Sequence, residues 1–185
     1  MPPDSSATKA RLLDAAFEEF AQHGLAGARV DRIAERAGAN KRLLYVYFGN
    51  KAELFDLVVG RAISQMAVDV PFDAGDLPGY AGALFDYLVA HPAILRLSGW
   101  RQLERPTVTE AESVAYREKV DAIGPGAGDF IALVTGAATG WLTASPALHE
   151  LDGGNPFSPA RLARYRAALV AAVARLPREP AAQAR

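Results

Sequence analysis

Residues 30–51 read VDRIAERAGANKRLLYVYFGNK, and this stretch decides the fold. Val30, Ile33, Ala34 and Ala37 recur at helical spacing, so a short helix over about 30–37 buries one face. Gly38 breaks that helix, Asn40 is a strong N-cap, and a second short helix follows over about 41–48. Two short helices joined by a glycine-containing turn form a helix-turn-helix, whose second helix enters the major groove of DNA with its N-terminal residues against the base edges. Lys41 and Arg42 stand at that N-terminal end. Leu44 and Phe48, four apart, pack inward on Leu13, Phe17 and Ile33, which leaves Lys41, Arg42 and Tyr45 facing out.

Charge agrees with this placement. From Arg29 to Lys51 there are six cations, Arg29, Arg32, Arg36, Lys41, Arg42 and Lys51, against the two carboxylates Asp31 and Glu35. The whole chain carries a formal net charge of -1, so any surface for a polyanion is local. Phosphate neutralisation supplies most nonspecific DNA affinity, and it needs such local concentration. Charge alone reads first as an ordinary solvated helix face, and the helix-turn-helix spacing makes the difference. Tyr45 and Tyr47 are bulky for a solvent-facing stripe, but their hydroxyls donate to phosphates while their rings meet sugars or thymine methyls.

Working outward, apolar residues keep helical spacing nearly everywhere and no alternating β-branched run suggests a sheet. The expected fold is all-α. A first helix begins near Ser6 or Thr8, buries Leu12, Leu13, Ala16, Phe17 and Phe20, and ends at Gly24. Asn50 and Glu53 form a capping box that opens a fourth helix running to about Val70. After a Pro- and Gly-rich stretch, helices are expected over 80–90, 92–104 and 109–123, with a second capping box in Thr109 and Glu112. Asp129 caps an eighth helix reaching about Ser145. Ser158-Pro159 opens a ninth that ends near Leu176, before a Pro- and Ala-rich tail.

The 185 residues hold half hydrophobic and 22% charged side chains, as a globular protein does, and no cysteine, which excludes disulfides, thiolate metal sites and cysteine nucleophiles. Met1 to Ser6 lacks the pattern of a secretory signal, so the cytoplasm is the expected compartment. The uncharged run Phe130 to Leu148 approaches the length of a membrane span, but its Thr, Gly, Ser and Pro content and the lack of flanking Lys or Arg make it a helix buried in protein. An enzyme is the main alternative of another class. His23, His91 and His149 have no partners at metal-ligand spacing, and no phosphate-cradling loop or serine elbow is present. No cofactor is expected.

The segments Leu13 to Ala16, Phe17 to Gly24, Val30 to Gly38 and Lys41 to Lys51 closely resemble the TetR family of bacterial transcriptional regulators. The resemblance covers about the first third of the chain, and the rest matches by helix layout. It implies nine helices, with the first three (1–50) reading DNA and the remainder (51–185) binding an effector among helices four to seven and dimerising through eight and nine. It places Lys41, Arg42, Leu43, Tyr45 and Val46 at base-contacting positions, beside the cap Asn40, and Tyr47 and Lys51 at phosphate-contacting ones. Ala28 and Arg29 depart from the family pattern, which has Ser or Thr capping the second helix; Arg29 then supplies a charged phosphate contact in place of the hydroxyl. Arg42 suits either guanine readout or a phosphate.

For the rest of the chain the residues leave alternatives open. Small residues on helix eight (Gly136, Ala137, Ala138, Gly140, Ala144) and apolar ones on helix nine (Leu162, Leu169, Val170, Val173) fit a four-helix dimer interface or a monomeric core, and the resemblance favours the homodimer. Phe85, Tyr87, His91, Trp100, Arg101, Tyr116 and Trp141 have the make-up of a small-molecule pocket and equally that of a helical core. The reading that results is a repressor released from a palindromic operator in double-stranded DNA by a small effector. The alternative is a ligand- or protein-binding module of the same fold without an operator.

Overall fold

The structure is a computed structural model that describes residues 5–124, 126–151 and 153–176. It is all-α, with ten helices among the described residues: α1 (Ser5–Gly27), α2 (Val30–Arg36), α3 (Lys41–Phe48), α4 (Lys51–Asp69), α5 (Leu77–Ala90), α6 (Pro92–Glu104), α7 (Glu110–Ile123), α8 (Ala127–Gly140), α9 (Pro146–Glu150) and α10 (Pro159–Val173). The eighth helix stops at Gly140, short of the expected Ser145, and the count exceeds the expected nine because of one further turn beyond it. A separate turn, α9, then starts at Pro146, where the Ser145 hydroxyl accepts from the Ala147 amide. Proline at its first position suits a helix start and cannot continue the helix before it. Asp129 lies inside the first turn of α8, and Gly126 takes the cap position. The expected tail, beyond Leu176, lies outside the described residues. No helix among the described residues is long and apolar enough to cross a membrane.

The chain divides into two compact units, 1–66 with 91–113, and 67–90 with 114–185. In the first unit, α1 packs along α6 and against α2, and α2 against α3. Leu12, Phe20, Ile33, Leu44, Leu54, Phe55, Val58 and Leu97 make its core. Phe20 and Phe55, both fully buried, meet edge to face at 5.0 Å between centroids. Truncating either one costs about 3–5 kcal/mol, so the pair fastens α1 to α4.

In the second unit α5 packs against both α8 and α10. Tyr80, Leu84, Phe85, Leu88, Ile131, Val134, Ala138, Trp141, Leu169 and Val173 are buried there. Gly82 lets α10 come close, since a Cβ at this position would lie 2.9 Å from the Arg166 guanidinium. The Tyr165 hydroxyl donates to the Ala137 carbonyl at 2.6 Å, and the Trp141 indole to the Pro156 carbonyl at 2.9 Å, which ties the connection between α8 and α10 to the core.

Candidate nucleic-acid interface

The local sequence builds α3 as expected. The Asn40 side chain accepts from the Arg42 amide at 2.8 Å, satisfying one of the orphan donors of the helix start. Leu44 is fully buried and Phe48 packs against the same core. Asn40, Lys41, Arg42, Tyr45 and Val46 are exposed, Val46 by 67%. The steps 41 to 45 and 42 to 46 each span one turn, so these residues form a single outward face. Leu43 and Tyr47 are half-buried and pack on the core instead of standing clear of it. The Lys9 ammonium lies 4.9 Å from the Tyr47 ring centroid.

Lys41 already has a partner. Its ammonium lies 2.7 Å from the Asp31 carboxylate on α2, and that hydrogen bond holds the lysine pKa above its ordinary value. Both side chains are largely in water, so the pair adds little to stability. It does link the two helices of the motif across the turn.

The corner between α1 and α2 is held by groups that local sequence patterns do not reveal. Arg29 occupies the N-cap of α2 in an extended conformation and makes no side-chain cap bond. A buried carboxylate braces the corner instead. Glu19 on α1, 1% exposed, accepts from the Arg29 amide at 2.9 Å and from Arg32 Nε at 2.7 Å. Burial raises the Glu19 pKa, but the Arg32 and Arg29 hydrogen bonds and the Arg32 charge outweigh it, leaving the group below its usual range. Arg32 is therefore committed inward, and its Nη2 also donates to the Gly27 carbonyl at 3.1 Å. A signal for Glu19 exists in the sequence: Leu12, Ala15, Ala16, Glu19 and Phe20 lie on one stripe, so a charged residue occupies a core position.

Gly24 was expected to end the first helix, but a break occurs there and one more turn follows to Gly27. At φ 68° and ψ -177° this backbone favours glycine, and a Cβ would sit 2.8 Å from the Trp100 ring. The broken amides find a cap on another helix, where Glu104 of α6 accepts from Leu25 N at 2.5 Å and Ala26 N at 3.2 Å. Lys51 completes the corner. Its ammonium donates to the Ala26 and Ala28 carbonyls at 3.3 and 3.1 Å, so in the free protein it fastens the end of α1 instead of standing open to a phosphate. The Asn50 and Glu53 capping box forms as expected: Asn50 Oδ1 accepts from the amides of Ala52 and Glu53, and Glu53 from that of Asn50.

The seven residues with pocket-like make-up are distributed over both units. Phe85 and Trp141 are core residues of the second, where the Arg161 guanidinium lies 3.5 Å from the Trp141 ring centroid. Tyr87 is half-buried there, and burial followed by the Asp69 carboxylate raises its pKa; Tyr116 is 44% exposed. In the first unit, His91 is the exposed residue preceding α6, Trp100 covers Gly24, and Arg101 pairs with Glu112 of α7. The Glu112 half of the second capping box is thus taken by Arg101, while Thr109 Oγ1 accepts from the Glu112 amide at 3.3 Å. Among the described residues no group of three His, Asp or Glu side chains is placed to hold a metal.

This arrangement, a short capped helix with a cationic and aromatic face on a braced corner, agrees with the comparisons to known proteins. Residues 12–58 match bacterial regulatory proteins of the tetR family, and residues 76–175 match the tetracyclin repressor-like C-terminal domain. The chain is 48% identical over 127 residues to the HTH-type transcriptional repressor SCO4008 of Streptomyces coelicolor, covering 66% of each chain. It is 28% identical over 105 residues to the HTH-type transcriptional repressor NicS of Pseudomonas putida, covering 53% of this chain and 50% of that one. These alignments thus span between half and two thirds of the curated relatives. The crystal structure of SCO4942 from Streptomyces coelicolor, described as a transcriptional regulator, superposes with a TM-score of 0.75 at 36% identity, over 93% of this chain and 99% of that one. On the match of both its N-terminal and its C-terminal regions, the chain belongs to the TetR family of bacterial regulators.

Proposed function

We propose that this protein is a cytoplasmic transcriptional repressor that holds a palindromic operator as a homodimer and releases it when a small-molecule effector binds. The observation that carries the reading is the outward face of α3, where Lys41, Arg42, Tyr45 and Val46 stand exposed on a helix fixed by Leu44 and the Asn40 cap. On this reading those four residues meet the base edges and nearby phosphates, and Asn40, Leu43 and Tyr47 set the helix at the right depth. Arg29, exposed at the start of α2, reaches the backbone from the side. Lys51 acts through the α1 corner that it fastens, with its remaining proton available to a phosphate.

One recognition helix covers few base pairs, so specific binding calls for two, about one helical turn of DNA apart. The pairing surface proposed is that of α8 and α10, the helices expected in that role as eight and nine. Leu133 on α8 is 58% exposed, and Ala160, Ala163, Ala167 and Ala171 on α10 are exposed as well. Residues 1–50 read DNA on this proposal, and 51–185 bind the effector and dimerise. The effector acts by preferring a dimer whose two α3 helices no longer match the groove spacing.

Selection of bound duplexes from a random pool tests the core of the proposal. A recovered palindrome with half-sites one helical turn apart is expected. Recovery of no sequence preference, with affinity that barely falls as salt rises, overturns it in favour of a module without an operator.

A further inference from the structure

The second unit holds a cation enclosed by aromatic rings. The Lys119 ammonium on α7 lies 5.1 Å from the Tyr80 ring centroid, 5.6 Å from Tyr116 and 5.8 Å from Phe72. It also donates to the Tyr80 hydroxyl at 2.8 Å. Phe72 meets Tyr80 edge-on with 5.0 Å between centroids. The three rings come from different segments, the connection between α4 and α5, α5 itself, and α7. The Tyr116 and Phe72 centroids lie within the roughly 6 Å over which a ring quadrupole attracts a cation, while the two Tyr80 distances put the ammonium off the hydroxyl end of that ring rather than over its face. Among the described residues no carboxylate lies in ion-pair range of this ammonium; the Phe72 and Tyr116 rings and the Tyr80 phenol oxygen are its neighbours.

A lysine on an exposed helix does not need three rings. Its stem is flexible and water hydrates its head strongly, so a tethered ammonium gains little from such a cage and leaves it readily. An alkylated or aromatic cation is different, because it is weakly hydrated and gains both the ring quadrupoles and apolar burial. Tyr80 is 7% exposed and offers its hydroxyl, while Tyr116 is 44% exposed, so solvent reaches the group from the Tyr116 side. That helix, α7, buries no residue of its own.

We propose that Phe72, Tyr80 and Tyr116 form a binding site for a small organic cation, and that Lys119 is the tethered occupant it displaces. If the effector reading above holds, this site selects effectors by positive charge.

Three near-isosteres that differ in charge test this: choline, 3,3-dimethylbutanol and 3,3-dimethylbutyrate, titrated by calorimetry into the full-length protein, Lys119→Ala and Tyr116→Ala. Choline is expected to bind Lys119→Ala at least tenfold more tightly than the unaltered protein, and to lose that gain when Tyr116→Ala is added. The alcohol is expected to bind at least tenfold more weakly than choline to Lys119→Ala. Equal binding of choline and the alcohol overturns the proposal, as does an unchanged choline affinity on removing Lys119. Binding of the butyrate that depends on Lys119 also overturns it, by making the site an anion site. Circular dichroism of each variant shows whether its helices are retained. DNA affinity measured with and without choline separates the two claims: choline that binds through Tyr116 but leaves DNA affinity unmoved sustains the cation site and refutes its part in regulation.

Discussion

Replacing Glu19 by alanine tests whether the reading helices depend on a buried carboxylate. The side chain accepts from the Arg29 amide at 2.9 Å and from Arg32 at 2.7 and 2.5 Å. Hydrogen bonds to a charged group contribute about 1.5–3 kcal/mol each when both partners are buried. Arg32 is 38% exposed, so water takes over much of what it loses, and its two contacts together count for about one such bond. The Arg29 amide adds a second contribution of about 1–2 kcal/mol for a donor left unsatisfied. The expected loss is about 3 kcal/mol, which at roughly 2–4 °C per kcal/mol for a chain of this size lowers the melting temperature by about 6–12 °C. Glu19→Gln, which keeps an acceptor but not the charge, should lose about half as much. The pH dependence follows from the lowered pKa. This contribution is fully present above the unfolded-state pKa of about 4.3 and disappears as pH falls through the lower folded value. Thermal melts followed by circular dichroism at neutral pH and near pH 3 measure both effects. A Glu19→Ala melting temperature within about 2 °C of the unaltered protein at neutral pH would refute the bracing argument.

Gly24→Ala forces a positive φ on a residue with a Cβ and pushes that Cβ toward Trp100, so urea unfolding should show a loss of about 2–4 kcal/mol. Arg42→Ala distinguishes its two possible contacts: loss of a phosphate contact reduces the slope of log K against log salt by about 0.9, whereas loss of guanine readout relaxes preference at one base pair by about 1–3 kcal/mol. Asp31→Asn removes the carboxylate bound to Lys41 and should strengthen binding to any duplex several-fold in fluorescence anisotropy; unchanged affinity would show that Lys41 does not reach DNA. Leu133→Asp places a charge on the exposed face of α8 and should convert dimer to monomer in sedimentation velocity, leaving helix content intact.

What could be read from the sequence was local. The Asn40, Asn50 and Ser158 caps act within three residues of themselves, and each forms as read. The core face of α3 followed from a four-residue interval between Leu44 and Phe48. The corner between α1 and α2 was not legible because its contacts span long separations: Glu104 meets Leu25 79 positions away, and Glu19 meets Arg32 13 away. Lys51 could be placed at a helix start, but nothing local indicated that its ammonium turns back to Ala26 and Ala28. The brief α9 was missed because a single turn leaves no periodicity to detect. Phe85 and Trp141 illustrate a different limit, since aromatic residues that suit a ligand also suit a helical core, and composition does not separate the two uses.

On the function proposed here, the pairing of Lys41 with Asp31 makes an encounter with a polyanion a competition rather than a simple addition. A phosphate that engages this lysine shares its ammonium with a carboxylate 2.7 Å away, and that carboxylate faces the same negative backbone. A correctly placed duplex recovers that loss through the neighbouring contacts of α3, and an ill-fitting one does not. On that proposal, one exposed acidic side chain works against casual adhesion along the genome and sharpens the preference for the intended site.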